Sequence, residues 1–129
     1  MTQTAEKNDF LSQKSEEKDV TTTESGLRYK VIAQGNGNKP ARQNSVTVNY
    51  EGSLEDGTVF DSSYKRGTPI SFGVTDVISG WTEALQLMTP GSTWMLYIPA
   101  NLAYGERGMP GVIPGNSTLI FKVELITIS

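Results

Sequence analysis

The sequence predicts an α+β domain, in which four to six mostly antiparallel strands carry one short helix on one face. Three observations support this. Several segments alternate apolar and polar residues with the period of a β-strand. An Asp-Gly pair at residues 56–57 is a strong hairpin-turn signal. A single stretch, which begins at Trp81, has the spacing of an amphipathic helix. The 129 residues are enough for one such domain with one sizeable core.

Composition excludes several kinds of site and partner. The sequence has no cysteine and no histidine, so disulfides, thiolate chemistry and every Ser-His or Cys-His arrangement are ruled out. The net charge of −3 argues weakly against nucleic acid as a partner. No apolar run approaches the length of a membrane span, so we expect no membrane partner either.

Charge divides the chain into two parts. Residues 1–24 carry six acidic residues and three lysines, whereas residues 25–129 carry eight charges of each sign. Residues 1–25 hold too little apolar area to offset the entropy lost on ordering. We expect them to be a polar leader, either disordered or helical over about residues 5–18, with residues 21–25 as a linker. Residues 26–129 then form the domain.

The first half of that domain reads as four strand segments. A strand is expected over residues 27–33, and another over residues 45–51, where apolar and polar residues alternate cleanly. The Asp-Gly turn returns the chain through Phe60 to Asp61. Residues 62–68 are expected to be a polar loop or bulge, and residues 69–72 a short edge segment.

The helix follows. Trp81, Leu85 and Met88 lie at i, i+4 and i+7, while Pro90 and Gly91 stop the pattern. Ser79 or Gly80 is expected to cap its start. Two turns are too few to be stable alone in water, so the helix must lie on the sheet. We expect Trp81 to form the floor of a pocket between them.

The second half contains two strands and a long loop. Residues 93–99 alternate, and residues 119–128 form the longest strand, whose apolar content predicts a central position. Residues 100–117 are rich in glycine and proline, and a loop of this length inside a compact domain is usually functional.

No pair of acids has the spacing of an acid–base catalyst, and the dispersed arginines (Arg28, Arg42, Arg66 and Arg107) read as solvated surface. What remains is a set of ring-bearing and branched residues at the ends of elements. Each one alone reads as core. Together, with Asp61 directly after Phe60, they resemble an apolar pocket with a few fixed polar groups. The set is Tyr50, Phe60, Phe72, Val77, Ile78, Trp81, Tyr104, Ile113 and Phe121.

Five motifs in order resemble the FKBP family of peptidyl-prolyl cis/trans isomerases, over residues 26–129. They are Val-Asn-Tyr-Glu-Gly at 48–52, Asp-Gly-Thr-Val-Phe-Asp-Ser-Ser at 56–63, Val-Ile-Ser-Gly-Trp at 77–81, Ala-Tyr-Gly at 103–105 and Thr-Leu-Ile-Phe at 118–121. Residues 8–11 and 23–30 resemble the linker region of the Mip-like bacterial branch. That branch usually carries a helical dimerisation domain upstream, and we expect the chain as written to lack it.

The resemblance implies a twisted antiparallel β half-barrel wrapped around one short α-helix, with the pocket between them. It implies walls from Tyr50, Phe60, Val77, Ile78 and Phe121, a floor from Trp81, and Phe72 deeper inside. Ile113 would close the far side. Asp61 and Tyr104 would supply polar contacts, and the Ile78 N–H would hold a substrate or macrolide carbonyl. Two positions differ from the residues usual in the family: Ile70 occupies a position that is often aromatic, and Met109 a position that is often histidine.

The implied activity is peptidyl-prolyl cis/trans isomerisation in support of protein folding, with Asp61, Tyr104, Tyr50 and Phe121 as the catalytic set. The expected partners are proline-containing polypeptides and macrolide inhibitors such as rapamycin, with no metal and no cofactor. The alternatives are a non-catalytic chaperone module that grips proline or apolar segments, and a carrier of a small apolar metabolite. As written, the chain is expected to be a cytoplasmic monomer. A periplasmic or surface location is the alternative if it is part of a longer protein.

Overall fold

The computed structural model describes residues 19–128, which form seven strands, two short helices and one 3₁₀ turn. In chain order they are β1 (Val20–Thr22), β2 (Arg28–Ala33), β3 (Ser45–Leu54), β4 (Val59–Ser62), α1 (Ser63–Arg66), β5 (Ile70–Gly73), α2 (Ser79–Leu85), β6 (Thr93–Ile98), the 3₁₀ turn (Ala100–Leu102) and β7 (Leu119–Ile128).

The strands form one antiparallel sheet in the order β1-β2-β6-β7-β3-β4, and β5 pairs with the first half of β3. Strand β7 lies between β6 and β3, so the prediction of a central position is confirmed. Every second residue at its start is buried, beginning with Leu119 and Phe121. These side chains share one core with those of β3, β6 and α2. The predicted α+β half-barrel around a short helix is confirmed.

Helix α2 differs in its limits from the prediction. It begins after Ile78, which has extended backbone angles and serves as the N-cap without a side-chain hydrogen bond, so neither Ser79 nor Gly80 caps it. It also ends at Leu85, so Met88 lies outside it. The turn that follows bonds the Met88 N–H to the Ala84 and Leu85 carbonyls at 3.1 and 3.3 Å. Met88 therefore stays on the apolar face and is fully buried.

Gly80 sets how closely α2 approaches the sheet. A Cβ atom at this position would lie 2.6 Å from Cγ2 of Ile98 on β6, a distance that real Cβ atoms do not show. The glycine that precedes Trp81 is therefore required for close packing of the helix on the sheet.

Two polar segments are more ordered than their composition predicted. Residues 21–25 were expected to be a linker, but Val20–Thr22 form β1 and pair with Arg28–Lys30 of β2. Strand β1 is stabilised by backbone hydrogen bonds to the edge of β2, and the number of apolar residues in a segment does not reveal such bonds. The expected loop at 62–68 contains α1. The possible helix over residues 5–18 lies outside the described residues.

The long segment between β6 and β7 keeps its predicted loop character. It contains the 3₁₀ turn and a tight hairpin, in which Met109 and Ile113 exchange two backbone hydrogen bonds of 2.8 Å. Met109 and Val112 at its tip are exposed. Within residues 19–128, no helix is both long and apolar enough to cross a bilayer.

Candidate active site

A cavity of about 480 Å³ opens between the N-terminal end of α2 and the concave face of the sheet. This volume is within the roughly 300–1,000 Å³ usual for small-ligand sites. Nine of its ten lining residues were predicted, and the tenth is Asp76. The lining is Tyr50, Asp61, Ile70, Phe72, Asp76, Val77, Ile78, Trp81, Tyr104 and Phe121.

Trp81 is held from three sides by aromatic rings. Its ring centre lies 5.3 Å from that of Tyr50, 5.5 Å from that of Phe72 and 5.2 Å from that of Phe121, each at a steep interplanar angle. Edge-to-face pairs of this kind add about 0.5–1.5 kcal/mol each beyond the area that they bury. With only 5% of its surface exposed, the indole is a fixed surface at the base of the cavity.

Two predicted residues do not line the cavity. Phe60 lies behind the wall and packs edge-on against Phe121, with ring centres 5.7 Å apart. Ile113 is 3% exposed and belongs to the core, where its backbone pairs with Met109. Sequence reasoning could place both near the pocket, but not decide which side of a wall each occupies.

Gly52 makes the Phe60–Phe121 contact possible. A Cβ atom on Gly52 would lie 2.6 Å from Cε1 of Phe121 and 2.7 Å from Cζ of Phe60. The two rings fill the space above the bare strand, and this fixes the position of Phe121 in the cavity wall. Gly52 was not predicted to have a structural role of its own. The alternating pattern of β3 puts Gly52 on the same face as the rings, and this is the sequence signal that could have identified it.

A polar cluster stands at the rim of the cavity. The Tyr50 hydroxyl donates to one oxygen of Asp61, and Nη1 of Arg66 donates to the other at 2.5 Å. Nη2 of Arg66 also donates to the Tyr50 hydroxyl at 3.3 Å, and its guanidinium lies over the Tyr50 ring, 5.8 Å from the centre. Both Asp61 oxygens are thus bonded, which fixes the direction of the carboxylate.

Arg66 was read as solvated surface, and its side chain is indeed 48% exposed, but the reading missed its bonds to Asp61 and Tyr50. Helix α1 brings it back to Asp61, five residues earlier in the chain. Ser62 caps this helix by accepting from the Lys65 N–H at 3.3 Å, and Gly67 ends it in the left-handed conformation. The Ser and Gly at the two ends of a four-residue polar segment are the sequence signal for this turn.

Ser63 fastens α1 to the wall of the cavity. Its hydroxyl is fully buried, accepts from the Tyr50 N–H at 2.8 Å and donates to Oδ1 of Asn49 at 2.9 Å. Because it is bonded on both sides, Ser63 links the position of Arg66 to that of Tyr50.

Hydrogen bonding keeps the cluster in one protonation state. Partial burial acts to raise the pKa of Asp61, but hydrogen bonds from Tyr50 and Arg66 outweigh it and lower the pKa below its ordinary value. Burial, together with the bond to Asp61, raises the pKa of the Tyr50 hydroxyl. Bonds to Tyr50 and Asp61 raise the pKa of Arg66. Near neutral pH the site holds a carboxylate, a neutral phenol and a guanidinium.

The donors in the lining that have no acceptor among residues 19–128 include the Ile78 N–H, which precedes the first turn of α2, and the Tyr104 hydroxyl. Both are placed to bond a guest in the cavity. Asp76 is instead used internally, since its Oδ2 accepts from the Gly73 N–H at 3.1 Å and holds the turn before α2. Nowhere in the described part of the chain do three or more acidic side chains form a group that could hold a metal ion.

Comparison with known proteins identifies the family. The family model described as FKBP-type peptidyl-prolyl cis-trans isomerase matches residues 36–126, which include every residue that lines the cavity. The chain belongs to the FKBP-type peptidyl-prolyl cis-trans isomerase family. A second model, of the domain amino-terminal to FKBP-type isomerases, matches residues 1–31, which include β1 and most of β2. The predicted resemblance is therefore confirmed.

Named FKBP-type relatives agree. The chain is 54% identical over 119 residues to the peptidyl-prolyl cis-trans isomerase Mip of Coxiella burnetii, covering 92% of this chain and 52% of that protein. It is 53% identical over 119 residues to the outer membrane protein MIP of Legionella longbeachae, covering 92% and 51%. The crystal structure of FkpA from Escherichia coli superposes with a TM-score of 0.92 at 44% identity, covering 98% of this chain and 59% of that one. The chain thus spans about half the length of the curated relatives that it matches.

Proposed function

We propose that this domain accelerates cis/trans rotation about X-Pro peptide bonds in polypeptides whose proline side chain enters the cavity, and so assists protein folding. The observation that carries the proposal is the ring-lined cavity with a fixed carboxylate at its rim and unbonded donors on the lining residues Ile78 and Tyr104. Membership of the FKBP-type family supports it.

The reaction suits such a site because it makes and breaks no covalent bond. Amide resonance sets a barrier of about 18–20 kcal/mol to rotation, so uncatalysed exchange takes roughly tens to hundreds of seconds. The protein needs only to bind the twisted amide better than the planar one. Neither a nucleophile nor a metal is required for that.

Apolar surroundings favour the twisted form. A planar amide is the more polar of the two, so its transfer into the cavity costs the ground state more than the transition state. Transfer of an amide without hydrogen bonds costs about 2–7 kcal/mol, and only the difference between the two forms raises the rate. Since about 1.4 kcal/mol is a factor of ten, a fraction of that cost is sufficient.

The rim groups complete the mechanism. In this mechanism the Ile78 N–H donates to a substrate carbonyl and holds the proline over Trp81. Tyr104 offers a donor to the amide as it twists, when its nitrogen becomes pyramidal and its oxygen loses conjugation. The carboxylate of Asp61 contributes a fixed negative charge beside the twisting amide. Because the Asp61 oxygens are held by Tyr50 and Arg66, they need little reorganisation during the reaction.

An exchange assay tests the proposal. We expect the chain to accelerate exchange in a short Leu-Pro or Phe-Pro peptide, measured by NMR magnetisation exchange, and rapamycin to abolish the acceleration. Tyr104→Phe should lower kcat. Expressed as free energy, this loss should be larger than the loss in the free energy of unfolding. Tyr64→Phe is the matched control, since Tyr64 lies on α1 outside the cavity lining and is 41% exposed. Uncatalysed exchange in a folded sample would refute the isomerase function.

The second candidate is a binding or chaperone module without useful catalysis. The exposed Met109 and Val112 at the tip of the long loop favour it, because they offer apolar contacts to an unfolded chain. In the same assay this module would bind the peptide and shift its resonances, but leave the exchange rate unchanged.

Location belongs to the whole protein and is a separate proposal. The Legionella longbeachae relative is named as an outer membrane protein, which supports the periplasmic or surface alternative over the cytoplasmic one. Fractionation of the native host, with an antibody raised to this domain, tests it. Recovery with the cytoplasmic proteins would contradict export.

A further inference from the structure

A second groove adjoins the cavity. It encloses about 570 Å³ alongside α2, and Val77 lines both spaces. A chain that leaves the cavity over Val77 therefore enters this groove. Its other lining residues are mainly polar: Arg42 and Thr75 on the loops, and Ser79, Thr82, Glu83, Gln86 and Leu87 on or just after the helix.

Three of the six polar residues in the groove lining already use their side chains in hydrogen bonds within the protein. Oγ1 of Thr82 donates to the Val74 carbonyl at 2.8 Å, and Nε2 of Gln86 donates to the Thr82 carbonyl at 3.0 Å. Oε1 of Glu83 accepts from the Ser25 hydroxyl at 2.5 Å. Arg42 is exposed and forms no hydrogen bond or ion pair with any residue in the range 19–128. Among the described residues, no hydrogen bond or ion pair engages the guanidinium that the groove offers.

We propose that this groove is an extended subsite for the substrate polypeptide, and that Arg42 selects chains with an acidic residue a few positions from the proline. The inference rests on the proposed isomerase function and goes beyond it, since it assigns a sequence preference to a surface outside the proline cavity. The occupant is the continuation of the chain whose proline lies over Trp81. The walls at Val77 and Leu87 give its backbone an apolar surface, and Arg42 gives its carboxylate a partner.

The size of the preference follows from the exposure of Arg42. An ion pair between solvent-exposed groups contributes about 0.2–1 kcal/mol, which is a factor of about 1.4 to 5 in kcat/KM. The preference should also weaken with salt, because the Debye length shrinks from about 10 Å at 0.1 M to about 3 Å at 1 M. A modest, salt-sensitive preference is therefore the expected signature.

The experiment uses peptides with one Leu-Pro bond and a single glutamate or glutamine, two to four positions before or after the proline. For at least one position, we expect the glutamate peptide to be exchanged about 1.4- to 5-fold more efficiently than its glutamine twin. Arg42→Gln should remove the difference. Arg42→Glu should instead favour a peptide with lysine at that position over its glutamine twin. Lys39→Gln is the matched control: it removes a positive charge from the same loop, at an exposed residue outside the groove lining.

Each outcome decides between the two proposals. If the glutamine peptides are accelerated but no glutamate position gains, the isomerase function stands and the subsite is refuted. A preference that survives in Arg42→Gln, or that Lys39→Gln removes equally, also refutes it, because general charge attraction then explains the effect. If no peptide is accelerated, the isomerase function itself fails, and the subsite fails with it.

Discussion

Replacing Gly52 by alanine tests whether the wall of the cavity is set by close packing. A Cβ atom there would meet Phe121 at 2.6 Å and Phe60 at 2.7 Å, each at least 0.7 Å short of the 3.4 Å at which ordinary contact begins. Phe121 cannot retreat freely, since it packs edge-on against Trp81 at 5.2 Å. The added methyl group should therefore move one or both rings and narrow the cavity.

The expected loss of stability is a balance of two effects. Overpacking a core costs about 1–3 kcal/mol. Alanine in a strand is about 0.5–1 kcal/mol more favourable than glycine, which offsets part of this. We expect Gly52→Ala to lower the free energy of unfolding by about 1–2 kcal/mol in urea denaturation followed by tryptophan fluorescence. Because the wall moves, the KM for a Leu-Pro peptide should rise as well.

Gly57→Ala is the control. Gly57 has a φ of 92° and no atom within 4 Å of its would-be Cβ, so alanine there is strained by the backbone alone. It should lose stability and leave KM unchanged. Wild-type stability and KM in Gly52→Ala would refute the reasoning, because the rings would then have room that the structure does not show.

Three further predictions concern the polar cluster. Arg66→Gln should lower kcat, because it frees one Asp61 oxygen, yet change the free energy of unfolding little, since the two side chains are 48% and 40% exposed; Lys65→Gln on the same helix should change neither, and equal effects of the two on kcat would contradict the assignment. The pKa of Asp61 is lowered in the folded protein, so its contribution to stability is present above its unfolded pKa and is lost as pH falls through the folded pKa. The pKa of Tyr50 is raised. Because neither group changes its charge in between, kcat/KM should stay flat from about pH 5 to 9, and a sigmoidal step near neutrality would refute this. Ser63→Ala leaves the buried Tyr50 N–H without its acceptor and should cost about 1–3 kcal/mol in the same urea titration, whereas a loss below 0.5 kcal/mol would show that the bond is replaceable.

Much of the site was predictable from sequence because it is built at the ends of regular elements. Alternation in β3 and β7 placed Tyr50 and Phe121 on the concave face, and the helical spacing after Trp81 put the indole against the sheet. Where the prediction failed, the element was short and was held by polar contacts. Strand β1 forms through backbone bonds to β2, and α1 forms through the Ser62 cap, and neither produces an apolar pattern.

Sequence alone was enough to predict the strands from β2 to β7 in chain order, the apolar face of the helix, the central position of β7 and the absence of any histidine or cysteine chemistry. These follow from residue type and periodicity, which are local properties. Tertiary structure alone decided that Arg66 turns back to Asp61, that Phe60 stands behind the wall while Ile70 lines it, and that Arg42 faces a groove that shares Val77 with the cavity. Those facts depend on distances between segments far apart in the chain, and such distances are fixed only when the sheet closes around the helix and each side chain takes the space that its neighbours leave.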